Sequence, residues 1–369
     1  MIKQEIKSIY YLRLSAMMMV VLIHTTAQYR HLFDVNTFQS RFYHFINNIT
    51  RVESGIFIML VGIVFFYNYQ DRKFDMPPLL TYWKKRVVYI LIPFVVWSLV
   101  YEIHAVYLQT REWNSSDVLN RIVTGQSHYQ LYFIFIVVQF YLVFPLVMSI
   151  VKWLPSVKKY LALIGIFIEF VFFLLDYTFR LIDIPFFLES FGSFLVGGWI
   201  GLTIQEQQLK VSNKKISIWG IIFAIAGIAT VFIRYQNMYI ATLSIPIELY
   251  RLITMTFIIG GSYFVYLLSE KLVLTLSTNM TSMIKSIAYY SFGFYLLHPL
   301  VLYYVMEWIP TRGTPGSFHL TIMIQYIFTL LLCYLIIWSF HRFVPFASFV
   351  FGKLPKNSYL PWQAYKKVN

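Results

Sequence analysis

The sequence predicts an all-α, polytopic membrane protein of about ten transmembrane helices, with both termini on the inner side and no soluble domain. Three observations lead there. Of its 369 residues 59% are hydrophobic and only 12% are charged, whereas a soluble domain needs about 25% charged residues. Apolar blocks of about 20 residues, enough to cross a hydrocarbon core roughly 30 Å thick, recur along the whole chain. The basic residues, finally, are sorted by side. With the N-terminus inside, every lysine falls on the inner side, together with Arg13, Arg72, Arg86 and Arg342. The outer side holds Arg30, Arg41, Arg51, Arg111, Arg121, Arg180, Arg234, Arg251 and Arg312. Such a positive-inside asymmetry orients membrane proteins.

The expected spans are approximately 9–29, 47–68, 86–107, 130–150, 159–180, 186–205, 216–234, 247–268, 286–306 and 320–340. Residues 1–345 read as one transmembrane domain and 346–369 as a basic cytoplasmic tail on the membrane surface. No internal repeat or low-complexity segment interrupts them. The basic, apolar N-terminus lacks a small-residue cleavage site and is followed by further spans, so the first helix is expected to be retained. The net charge of +14 is carried by lysines flanking spans, which points to a lipid bilayer as partner and not to nucleic acid. Cys333 is the single cysteine, which excludes an intrachain disulfide and a multi-cysteine metal site. Pro93, Pro145, Pro185 and Pro299 lie in or at the ends of spans, where a missing N–H bends a helix.

In the first span Arg13 and His24 stand eleven residues apart. At about 1.5 Å per residue that is roughly 16 Å, about half the hydrocarbon core, and eleven steps of about 100° return to nearly the same face. Arg13 therefore lies at the membrane surface and His24 within the membrane. His24 is either an interhelical hydrogen-bonding group or a general base, since a neutral imidazole can accept a hydroxyl proton. In the ninth span His298 precedes Pro299, roughly 20 Å above Lys285 by helical rise, close to the depth of His24. His298 either stabilises a proline kink or lines a cavity with His24; two histidines without a third ligand do not make a zinc site, and no metal site is expected.

Lys84, Lys85 and Arg86 form an inner basic cluster with Arg13. It reads as a solvated positive-inside run or as a phosphate clamp, for which the planar guanidinium is suited. No phosphate loop or dinucleotide fingerprint is present. Glu53 and Glu102 lie toward the outer side, where either is a candidate to orient His24. Glu169 lies deepest and needs a partner or a proton. Glu248 and Arg251, three residues apart, are placed to pair.

Taken together, these residues resemble the integral-membrane acyltransferase family 3. The resemblance rests on Arg13 and His24 in the first span and on Phe57-Ile-Met-Leu-Val61-Gly62-Ile in the second. Lys85-Arg86 through Pro93 at the third span and the intact Tyr295-Leu-Leu-His298-Pro299 in the ninth complete it. The layout is similar to the intercellular adhesion protein C group of biofilm operons, on Gly125-Gln126 and Phe351-Gly352-Lys353. Two positions depart from the family pattern. A His-Leu-Trp-Phe signature reads Gln130-Leu-Tyr132-Phe133, and a Ser-Gly reads Val61-Gly62. The resemblance implies a bacterial plasma-membrane O-acyltransferase with no permanently bound cofactor. It would move an acetyl or succinyl group from cytosolic acyl-CoA to a hydroxyl of a surface glycan such as poly-N-acetylglucosamine. By the same resemblance Arg13 and Arg86 hold the donor's phosphates and His24 activates the accepting hydroxyl; Lys85 at the donor side and Glu53 and His298 at the catalytic side are the further candidates. Export of the polysaccharide is the alternative, and a scaffold for a glycan synthase is a further one.

Overall fold

A computed structural model of the chain describes residues 4–29, 32–72, 76–240, 243–311, 315–358, 360, 361 and 363. Lys3, Arg30, Lys73, Arg312, Lys366 and Lys367, all part of the charge asymmetry, lie outside the described residues. The described residues contain helices and no strand.

The first helix, α1 (Ser8–Ala27), is the hub of the bundle. It carries Arg13 and His24 and touches α2 (Phe38–Ile49), α3 (Glu53–Tyr69), α13 (Gly261–Thr275), α14 (Thr278–Ala288), α15 (Ser291–Trp308) and α16 (Pro315–Phe343). Leu12, Ala16 and Val21 on it have no exposed surface. A helix surrounded by protein needs apolar residues on every side, which its Met and Val runs provide.

Around α1 the chain continues through α4 (Met76–Arg86), α5 (Ile92–Tyr107), the amphipathic α6 (Ser115–Thr124), α7 (Leu131–Trp153) and α8 (Val157–Phe179). Then come α9 (Phe191–Leu202), α10 (Ile204–Leu209), α11 (Asn213–Tyr235), α12 (Ile247–Met255) and, after α16, α17 (Ala347–Phe351). Two of the expected prolines, Pro145 and Pro299, sit inside α7 and α15, and Pro93 sits in the first turn of α5. Pro93 follows directly on the π-helical segment Val87–Leu91, where the altered hydrogen-bond register accommodates its missing N–H.

Among the described residues, eight helical stretches are long and apolar enough to cross a membrane. They correspond to eight of the ten expected spans. The other two are Phe187–Leu202, which is apolar but shorter, and α15, whose 18 residues include His298, Pro299 and Glu307. Both are largely enclosed by neighbouring helices, so lipid does not dictate their length or polarity. The third span begins earlier than expected. α4 runs through a wide π-helical segment, Val87–Leu91, into α5, and the apolar stretch covers Leu79–Tyr107.

Two expectations change. The ninth span does not run from Lys285: α14 and α15 are separated by a turn at Tyr289–Tyr290, so the depth of His298 cannot be counted from that lysine. The tail expected on the surface also enters the bundle at α17. Ala347 and Phe351 are buried, and Trp97 Nε1 donates to the Val350 carbonyl at 2.9 Å. Gly352 then turns the chain away with φ +75°, a left-handed conformation that side chains resist.

The tightest seam joins α3 and α9. A Cβ placed on Gly62 would lie 2.1 Å from the Phe194 carbonyl oxygen, and one on Gly197 would lie 2.0 Å from that of Met59. Small residues let membrane helices approach backbone to backbone, where dispersion replaces the absent hydrophobic drive. The Val61-Gly62 pair thus keeps the one residue that packing demands. Gly197→Ala should destabilise the protein by about 1–3 kcal/mol or more, because the opposing atom is backbone and cannot rotate aside. Thermal unfolding in detergent measures it, with Gly316→Ala as an unchanged control, since nothing lies within 4 Å of a Cβ there.

Candidate functional site

Three segments far apart in sequence meet at the C-terminal end of α1. His24 is half-buried, and the ring centroid of His298 lies 5.2 Å from its own. The ring of Tyr129, from the loop before α7, lies 4.6 Å from His24 on another side. His128 is 4.3 Å from Tyr129 and stacks on Tyr101 at 4.1 Å. The structure therefore brings the rings of His24 and His298 side by side, although the depth count from Lys285 that suggested it was not sound.

Each imidazole is held differently. His298 is fully buried and donates from Nδ1 to the Phe294 carbonyl at 2.9 Å, one turn back on its own helix. That bond places the proton on Nδ1 and leaves Nε2 as a lone-pair acceptor, which has no protein partner among the described residues. His128 Nδ1 pairs with Gln130 Oε1, an acceptor only, so its Nε2 is likewise unprotonated. Burial, with Arg111 adding to it and Gln130 opposing, holds His128 below the usual imidazole range. His24 has no hydrogen bond to either ring nitrogen among the described residues. Its backbone is fixed instead: Asn47 Nδ2 donates to the Ile23 carbonyl at 2.7 Å and to Thr26 Oγ1 at 3.2 Å. α2 therefore clamps the end of α1 while leaving the imidazole itself unengaged.

The carboxylates divide. Glu102 has no part in orienting His24, because two arginines occupy it. Arg121 contacts both oxygens at 2.8 Å, and Arg111 reaches Oε1 at 3.1 Å. Arg111 also donates to the Ser127 carbonyl at 3.0 Å, so this cluster pins the segment carrying His128, Tyr129 and Gln130. Glu53 makes no hydrogen bond to His24. Its Oε2 is buried without a partner among the described residues, and its electrostatic neighbours include Arg51, Tyr132 and Tyr295. Tyr295 lies 6.0 Å from His298 by ring centroids and donates to the Gln130 carbonyl. The pairing expected between Glu248 and Arg251 is not formed. Arg251 binds Glu169 at 2.8 Å, because the buried carboxylate gains more from a cation than the exposed Glu248 does. Gly192 N–H completes Glu169 at 2.9 Å.

At the other end of α1, Arg13 is half-buried and has no ion pair or hydrogen bond among the described residues. Its electrostatic neighbours are Tyr10, Tyr141 and Tyr289. Tyr141 also faces Arg86, whose guanidinium carbon is 5.7 Å from that ring and 3.9 Å from the Tyr82 ring. Arg86 donates to Tyr69 Oη at 3.1 Å and lies 4.9 Å from the Phe65 ring. The structure thus brings Arg13 and Arg86 to one tyrosine and cages Arg86 in aromatic faces, which bind a cation without neutralising it. Lys84 and Lys85 are exposed and do not join this cage.

Sequence reasoning missed His128, Tyr129, Asn47 and Arg51, the last an electrostatic neighbour of His24. Only the altered Gln130-Leu-Tyr-Phe motif, two residues after His128, hinted at the first pair. No group of three His, Cys, Asp or Glu residues suited to a metal exists among the described residues.

A family model described as an acyltransferase domain, of the acyltransferase 3 type, matches residues 6–338. No curated protein and no solved structure matches.

Glu102→Gln keeps the shape of the loop clamp and removes its charge. It should cost about 1–3 kcal/mol, less than the roughly 3–5 kcal/mol of a fully buried pair, because both arginines keep contact with water. Thermal unfolding gives the loss, and faster amide exchange across 108–130 shows that it falls on the loop.

Proposed function

Because the chain belongs to the acyltransferase 3 family and is a multi-pass membrane acyltransferase, we propose that it carries an acyl group from cytosolic acyl-CoA to a glycan hydroxyl on the opposite membrane face. The observation that carries this reading is the polarity of α1. Among the described residues, an arginine without an ion pair stands at one end, and at the other an imidazole without a hydrogen bond lies 5.2 Å from a second imidazole. In this reading α1 faces the cytosol with its Arg13 end, in a bacterial plasma membrane, with ten spans and both termini inside.

The chemistry balances with the residues present. The acceptor hydroxyl gives its proton to His24 as its oxygen attacks the thioester carbonyl. The new C–O bond forms, the C–S bond breaks, and the proton passes from His24 to the departing thiolate. His298, with its Nδ1 proton anchored on Phe294, keeps a free lone pair on Nε2 and orients the acceptor. Glu53, beside Arg51, Tyr132 and Tyr295, sets the charge balance on the acceptor side. Arg13 and Arg86 take donor phosphates, and exposed Lys85 adds attraction at the surface. The transferred group is acetyl or succinyl, and the acceptor is a surface polysaccharide of the poly-N-acetylglucosamine kind, as the adhesion protein C layout suggests. The exporter alternative gives Arg13 and His24 no joint task.

His24→Ala should lower ester formation by about 10²-fold or more, the usual weight of a general base, while the protein stays inserted and thermally stable. Mass spectrometry of surface glycan measures it. Wild-type ester content in the variant overturns the role of His24, and loss of polymer at the surface with unchanged ester per sugar selects the exporter. The topology has its own check. Single cysteines beside Arg41 and Arg121 should label from outside intact cells, and those beside Lys85 and Lys214 should not.

A further inference from the structure

Residues 280 apart in sequence close the Arg13 end of the bundle. Lys285 Nζ, on α14, pairs with Glu5 Oε1 at 2.6 Å, just ahead of α1. The same Glu5 oxygen accepts from Tyr10 Oη, and Tyr10 Oη lies 3.3 Å from Tyr289 Oη. The ammonium stands 5.2 Å from the Tyr10 ring centroid and 6.0 Å from that of Tyr289. Those two tyrosines are also electrostatic neighbours of Arg13. Glu5 is therefore engaged by Lys285 and Tyr10, and the nearby Arg13 guanidinium has no anion among the described residues.

We propose that Lys285 is a further phosphate ligand for the donor, held in reserve by Glu5, and that an arriving phosphate displaces Glu5 from it. The inference rests on the acyl-CoA reading above. Three physical points support it. An unpaired guanidinium within an apolar bundle is costly and is retained where an anion will meet it. The Glu5–Lys285 pair is partly open to solvent, with 47% and 33% of the side chains exposed, so it is worth little and exchanges readily. A phosphate carries more charge than one carboxylate and offers several acceptor oxygens, so Lys285 and the Tyr10 and Tyr289 hydroxyls can all turn to it. Burial opposes ionisation of Glu5, but the bonds from Lys285 and Tyr10 outweigh it and keep its carboxyl below the usual range. The anion is thus present for the donor to displace.

Coenzyme A titrated into the purified full-length protein by calorimetry tests the latch. Glu5→Gln should bind it about two- to fivefold more tightly, the factor a partly exposed ion pair can withhold. Lys285→Gln should bind it more weakly by a similar factor. In the Lys285→Gln background Glu5→Gln should have no effect, because the two residues act as one unit. Unchanged or weaker binding by Glu5→Gln, while wild type binds, overturns the latch. Tightening that persists without Lys285 also overturns it, since that is long-range repulsion alone. A folded wild type that binds no coenzyme A overturns the donor reading itself, and the latch with it.

Discussion

Inside an apolar bundle no water stands ready to satisfy a polar side chain, so each one must find its partner in the protein or be kept for a ligand. Most of the buried polar groups here follow the first course. Glu102 takes two arginines, Glu169 takes Arg251 and a backbone N–H, and Asn47 spends its amide on α1. Others are left without a partner among the described residues, Glu53 Oε2 and His298 Nε2 among them, and two such groups mark the two ends of one helix. Arg13 lacks an anion, and His24 lacks any hydrogen bond, among the described residues.

That arrangement needs a rigid frame. The glycine seam between α3 and α9 brings two backbones into contact, and α3 in turn packs on α1. The Glu102 cluster fixes the loop that bears His128 and Tyr129, and Tyr295 ties the same loop to α15 through the Gln130 carbonyl. Half of Tyr129 remains exposed while its ring meets His24, so the imidazole sits just behind the surface of the bundle.

The Arg13 end is built on a different principle. There the cations stand among aromatic rings instead of carboxylates: Arg86 over Tyr82 and Phe65, Lys285 over Tyr10. Ring faces stabilise a cation by about 0.5–2 kcal/mol yet leave its full charge available to a phosphate. A carboxylate in the same place would neutralise it. Glu5 is the exception, and it sits at the rim, where solvent makes its pair exchangeable.

The sequence by itself determined the helical class, the membrane-spanning character and the placing of Arg13 and His24 at opposite ends of one helix, because these depend on local composition and on the 3.6-residue helical repeat. It also marked Gly125 and Gly352, which take the left-handed conformations their turns require. Only the tertiary structure decided which partners meet. Arg251 chose Glu169 over its neighbour Glu248, Glu102 went to two arginines instead of to His24, and His128 entered the site from a loop with no periodic signal. The break at Tyr289–Tyr290 likewise moved Lys285 off the ninth span and onto Glu5. Spacing along a chain ranks candidate neighbours only within one helix. Between helices, burial and the cost of an unpaired charge settle the pairing, and those arise only once the bundle has formed.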